Sequence, residues 1–229
     1  MDEQRLSQST NHSATRRSGG PHFDPRTMPQ ESAVVSQPVR TGYFCKRPCD
    51  LLLSGLALVS LSPVFLVISL LIKLTSPGPV FFRQQRLGLN EQPFTILKFR
   101  SMRAGSDKTG AQFTSANDNR ITGIGKLIRK TSLDELPQLI NIFRGEMSLI
   151  GPRPYIGFEL EQATLEERRK RASVRPGVSG LAQVSGRSQL TQQAVIDFDL
   201  QYVAQCSFKF DVQILIQTIR KVIRCEGTN

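Results

Sequence analysis

The stretch Arg129-Lys130-Thr131-Ser132-Leu133-Asp134-Glu135-Leu136-Pro137 combines the groups that phosphate chemistry needs, two adjacent carboxylates a few residues after two cations. In such a pair one carboxylate can attack while the other holds a metal ion. A nearby cation keeps the attacking group ionised, and a helix N-terminus would help in the same sense and bind phosphate. The same residues also spell a capping box, Ser132 with Glu135 three positions later, in which Asp134 serves only the helix dipole. Pro137 weighs against the box. With Ser132 as cap it falls at the fifth helical position, where its missing N–H matters; with a helix starting at Asp134 it sits in the first turn. The segment alone leaves both readings open.

The elements that must position this acid pair begin with an apolar run of about 24 residues, Leu51 to Leu74, whose only charge is Lys73. As a helix it would be about 36 Å long, enough to cross a bilayer. Ser62-Pro63 interrupts it, and a proline there kinks the helix. Lys46 and Arg47 precede the run; Lys73, Arg83 and Arg86 lie at or beyond its end. Two basic flanks draw both ends to the cytoplasmic face, so the pattern predicts one re-entrant helix broken at Ser62-Pro63, with a straight span as the alternative. After the turn at 75–79, residues 80–82 and 94–97 read as short strands joined through residues 87–90. Residues 103–120 are polar and loop-like. Helices are predicted over 125–129, from Leu136 to Phe143 with Gly145 as the stop, over 158–172, and from Ala194 to about Arg224. The basic end of the last helix suits a membrane surface as well as a solvated face. The predicted fold is α+β: a disordered arm over residues 1–40, a membrane segment over 44–74, and a small helix-rich cytoplasmic catalytic domain over 75–229.

Composition narrows the partners. The chain has 229 residues, 39% hydrophobic, with a formal net charge of +11. That supports one compact domain and an anionic partner: nucleic acid, acidic lipid or phosphorylated substrate. The cysteines Cys45, Cys49, Cys206 and Cys225 form no CxxC pair, and His12 and His22 lie in the polar arm. A zinc site and a disulfide framework are both disfavoured, and the arm has no apolar core of a signal peptide.

Five stretches settle the choice of class: KRPCDLLLSGLALVSLSPVF (46–65), SPGPVFFRQQRLG (76–88), FTILKFRSM (94–102), ITGIGKLIRKTSLDELPQLINIFRGEMSLIGPRP (121–154) and VRPGVSGLAQVSGR (174–187). In order and content they resemble the bacterial sugar transferase family, the monotopic polyprenyl-phosphate phosphoglycosyltransferases, across about residues 44–220. The resemblance implies transfer of a sugar 1-phosphate from a UDP-sugar to polyprenyl (undecaprenyl) phosphate, the first step of exopolysaccharide or other surface glycan synthesis. It implies Asp134 as nucleophile and Glu135 as its Mg2+-associated partner. Ser62-Pro63 matches the family's helix break, and Lys46-Arg47 its basic anchor. Lys98, Arg100, Arg129, Arg153 and Arg175 lie within the matching stretches, and phosphoryl transfer needs chiefly positioning and charge neutralisation. Gly151-Pro152-Arg153-Pro154 is a stiff loop that fixes its arginine, with nucleotide binding implied. The expected setting is the bacterial inner membrane, with its lipid as a partner, no nucleic acid, and a homo-oligomer compatible. The chain departs from many relatives in having no tryptophan: Leu181 and Cys206 stand where Trp is expected.

Asp197-Phe198-Asp199 imitates a metal-binding DxD, but side chains two apart on a helix diverge. Gly123-Ile124-Gly125 lacks the rest of a dinucleotide fingerprint. A membrane-tethered basic binding protein, or an inactive scaffold, is the rival reading; neither needs the acid pair or magnesium.

Overall fold

The computed structural model describes residues 42–106, 118–156, 162–186 and 189–224. The polar arm over 1–40 lies outside the described residues, as do residues 107–117 of the polar stretch and 157–161 at the start of the predicted charged helix.

The apolar run forms two helices, α1 (Lys46–Ser60) and α2 (Ser62–Thr75), bent by 61° at Leu61. Pro63 sits in the first turn of α2, where its missing N–H costs nothing, and Ser62 Oγ donates to Val59 O (2.8 Å). Neither helix alone is long and apolar enough to cross a membrane; only the bent pair has the length and composition. One side of the pair packs on the rest of the protein. Ile68 and Ile72 join Phe99 and Ile128, while Ala57, Leu58 and Leu61 meet Ile96 and Ile142. The other side leaves Leu52, Leu56, Val59, Leu66, Leu70 and Leu74 exposed.

The basic residues before the run are engaged by the protein itself. Lys46 is buried against Asp211 (Nζ–Oδ2 2.5 Å). Arg47 donates to the carbonyls of Ile142 (2.6 Å) and Phe143 (3.0 Å). Downstream, Arg100 is buried and donates to Ser76 O, Ser76 Oγ and Pro77 O. Both ends of the helix pair are thus tied to the same domain.

That domain contains two small sheets. β1 (Phe81–Leu87) and β2 (Pro93–Phe99) form an antiparallel hairpin, Phe81 opposite Phe99. β3 (Ser148–Ile150) and β4 (Gly177–Ser179) are parallel. Between the sheets lie α3 (Gly123–Lys130), capped by Thr122, a 3-10 turn over Leu133–Glu135, and α4 (Gln138–Arg144), which ends at Gly145 with φ +88°. Asn141, fully buried in α4, accepts from Leu97 N (3.0 Å) and donates to Thr95 O (2.8 Å). One amide thereby pins α4 to the backbone of β2.

α5 (Leu165–Arg171) starts at a capping box of Thr164 and Glu167. α6 (Leu181–Ser185) follows β4. The long helix predicted over 194–224 is two helices, α7 (Gln192–Gln205) and α8 (Phe208–Ile223). Thr191 caps the first and Ser207 the second; apolar periodicity runs on across the break and hides it. Leu181 and Cys206, the two departures from tryptophan, both pack against the cluster of Ile150, Val174, Val184, Tyr202 and Ile214. Their smaller volume is absorbed in core packing.

Candidate active site

The acid pair lies on the 3-10 turn between α3 and α4. Ser132 adopts the left-handed conformation (φ 57°) and makes no side-chain cap hydrogen bond. The capping-box alternative is therefore overturned: α4 begins only at Gln138, after Pro137, and Glu135 is used elsewhere. A serine at positive φ is an uncommon conformation that the surroundings must hold. Here it turns the chain so that Glu135 meets the sheet.

Glu135 Oε1 accepts from Lys98 Nζ of β2 at 2.8 Å and lies 3.7 Å from Arg153 Nη1. Its side chain is only 14% exposed. Asp134, half-buried beside it, is lifted from the ordinary 3.8 to about 6. Burial is the main cause and Glu135 adds to it, against the pull of Lys98 and Arg129. Burial also pushes the Lys98 ammonium down, assisted by Arg153 and opposed by Glu135 and Asp134. Two carboxylates and three cations from four elements thus share one charge cluster.

The loop bearing Arg153 is held by close backbone contact with β4. Gly151 N donates to Ser179 O and Gly177 N to Pro152 O, both at 2.8 Å. A Cβ on Gly151 would stand 2.4 Å from Arg175 O, so only glycine permits the approach. Pro154 O accepts from Arg86 Nη1 (3.2 Å), and Arg153 O accepts from Arg171. Arg171 lies over the Tyr155 ring (4.2 Å) and pairs with buried Asp199 (2.7 Å). Asp197 instead accepts from Gln193 on the exposed side of α7, so the two aspartates of the apparent DxD diverge.

Of the residues singled out in the sequence, Asp134, Glu135, Lys98, Arg129 and Arg153 come together, with Pro152 and Pro154 framing Arg153. Ser62 and Pro63 sit at the helix bend. Arg100 and Arg175 are placed elsewhere. Arg100 holds the turn after α2, and Arg175 Nε donates to Gly145 O (2.9 Å) at a second pocket beside Lys46 and Arg47.

A cleft of about 600 Å³ opens beside Glu135 and Arg153. Leu133, Leu136, Leu139, Val178 and Val222 give it apolar walls, and Ser179, Gln183, Gln189, Thr218 and Lys221 line it too. The last two belong to α8, about eighty residues from the acid pair, and nothing in their local sequence announces the role.

Magnesium is commonly held by one or two carboxylates with water and substrate phosphate oxygens completing the shell. Asp134 and Glu135 fit that donor set: they are adjacent, and their mutual repulsion helps raise Asp134, a strain that a bound cation relieves. No cluster of three or more potential ligands occurs among the described residues, so most ligands would come from water and substrate.

The model of the family described as bacterial sugar transferase matches residues 41–225. The chain is 39% identical to the exopolysaccharide production protein ExoY of Rhizobium meliloti (strain 1021), over 94% of this chain and 99% of that protein. It is 42% identical to the UDP-glucose:undecaprenyl-phosphate glucose-1-phosphate transferase of Escherichia coli (strain K12), over 77% of this chain but 39% of that protein. With the UDP-N-acetylgalactosamine-undecaprenyl-phosphate N-acetylgalactosaminephosphotransferase of Aeromonas hydrophila it shares 42% identity, over 79% of this chain and 44% of that protein.

Proposed function

The chain belongs to the bacterial sugar transferase family, and on that premise we propose that it transfers a sugar 1-phosphate from a UDP-sugar to undecaprenyl phosphate. The observation that carries the reading is the half-buried Asp134–Glu135 pair, set among Lys98, Arg129 and Arg153 beside a cleft large enough for a nucleotide sugar.

An Asp134 carboxylate oxygen attacks the phosphorus that carries the sugar. A new P–O bond forms, the bridging P–O bond of the diphosphate breaks, and UMP leaves with the bridging oxygen. A phosphate oxygen of the polyprenyl carrier then attacks the phosphosugar ester. Its Asp134–phosphorus link breaks, the carboxylate is restored, and polyprenyl-diphosphate-sugar is released. Lys98 and Arg153 neutralise phosphate oxygens, and Arg129 favours the ionised nucleophile. Glu135 would hold magnesium, which when bound supplies further charge neutralisation at the diphosphate.

The helix pair supports a membrane setting. Its outward leucines suit lipid, and its inward residues and both ends are bound to one domain, so the pair enters one leaflet and returns. The domain then faces the cytoplasm at the inner membrane. The relatives act on different sugars at equal identity, glucose in one and N-acetylgalactosamine in another, so overall similarity does not select the sugar.

The experiment is to give the detergent-solubilised protein a UDP-sugar labelled in the sugar, without polyprenyl phosphate. A labelled protein adduct should form, release UMP, and discharge when polyprenyl phosphate is added. Transfer with no adduct would defeat the covalent route, and absence of transfer across a panel of UDP-sugars would favour the scaffold reading.

A further inference from the structure

Gln183 lies in α6, on the wall of the cleft that also contains Glu135 and Arg153. Its amide is enclosed, and neither Oε1 nor Nε2 has a hydrogen-bond partner. Buried amides are rarely left this way, because each unmade bond costs the desolvation of a polar group. This one breaks no hydrogen bond by turning into the cleft, so the site is poised to gain two bonds from an occupant.

Resting on the UDP-sugar reading above, we propose that Gln183 recognises the imide edge of the uracil base. A primary amide presents a donor and an acceptor side by side. Uracil offers their complement on one ring edge, an N–H next to a C=O, so both bonds form together. The acetamido group of an N-acetylated sugar is a trans amide, with N–H and C=O pointing apart, and can engage only one end. A hydroxyl offers a single atom. The neighbouring walls fit a flat base: Val178 and Leu149 line the same cleft. The charged end, at Glu135 and Arg153, is left for the diphosphate.

The test is equilibrium binding of UDP and of its N3-methyluracil analogue to the full chain in detergent, by calorimetry, for wild type, Gln183→Met and Gln183→Glu. Wild type should bind UDP about tenfold to a hundredfold more tightly than the methylated analogue, the loss of two neutral hydrogen bonds. Gln183→Met should bind both equally, at the weaker affinity. Gln183→Glu, which keeps an acceptor for N3–H but sets an oxygen against the uracil carbonyl, should fall between, and serves if the methionine variant does not fold. The inference is overturned if Gln183→Met keeps wild-type affinity for UDP, or if the methyl group is as costly in that variant as in wild type. Turnover is read separately: base-specific binding without transfer defeats the proposed reaction and leaves this inference standing, while transfer with base-blind binding defeats this inference alone.

Discussion

Asp134→Asn should abolish transfer and make the protein more stable. The folded protein holds the Asp134 carboxyl at about 6 against an ordinary 3.8, so ionising it in place is unfavourable. A difference of roughly 2 pH units corresponds to about 3 kcal/mol at about 1.4 kcal/mol per unit. Because the side chain is partly open to solvent, a realistic share is about 1–3 kcal/mol. The sign follows from linkage. A raised carboxyl gives its full stability below 3.8, where both folded and unfolded states are protonated, and loses it as pH rises through about 6. Asparagine mimics the protonated form at every pH. Wild type and variant should therefore melt together near pH 4, and the variant's advantage should grow to a plateau above about pH 6.5. For a domain of this size that is a shift of about 2–10 °C in Tm. The assay is thermal unfolding in detergent from pH 4 to 8 with chelator present. Magnesium should narrow the gap, since a cation at the pair stabilises only the ionised wild type. Transfer should fall about a thousandfold or more with loss of the nucleophile. A variant that is less stable than wild type at pH 7.5 and still transfers would refute the reasoning.

Wild-type transfer should rise with pH through about 6 as Asp134 ionises, and in Glu135→Gln the residual pH profile should move to lower pH, because a repulsive neighbour is gone; an unmoved midpoint in the rate profile would assign it to another group. Asp199→Asn should destabilise by about 3 kcal/mol or more by leaving Arg171 buried without its carboxylate, and should raise KM for the nucleotide sugar more than it lowers kcat, since Arg171 holds the Arg153 loop. Asn141→Ala should cost about 1–3 kcal/mol, as the Leu97 amide loses its acceptor, measurable by denaturant unfolding. Pro63→Ala should leave Cys45 and an introduced Ser106→Cys labelled from the same membrane face, because packing of both helices, besides the proline, holds the bend; labelling from opposite faces would show that the proline alone sets the topology.

Local rules read the chain well where a residue acts on its own neighbours. Pro63 marked the break in the apolar run and Gly145 the end of α4; the strand read over 94–97 fell within two residues of each end of β2, while the one read over 80–82 caught only the start of β1, which runs on through polar residues to Leu87. They could not decide where a side chain reaches across the fold. Ser132 and Glu135 have the spacing of a cap, yet Glu135 pairs with Lys98 of β2 and lies near Arg153, while the serine takes a positive φ and caps nothing. Lys46 and Arg47 look like charges for a lipid surface, yet Asp211 and the carbonyls at the end of α4 draw them inward.

Those two cases have a common cause, which bears on how the site is built. A single sequence shows charges but not which of them the fold will desolvate together. Lys46–Asp211, Arg171–Asp199 and Lys98–Glu135 each join residues 28 or more positions apart, and each costs desolvation that only close pairing offsets. The first two pairs are closed: each partner is buried, and they tie α1 to α8 and α5 to α7. The third is left next to a cleft, with Arg153 at 3.7 Å and beside it Asp134, whose carboxyl burial pushes up. In a protein with this surplus of positive charge, cations alone do not mark a substrate site. What sets this cluster apart is an acid whose ionisation the fold opposes and which an anionic substrate with its metal would be able to reach. That difference separates the structural ion pairs from the one proposed to serve the reaction.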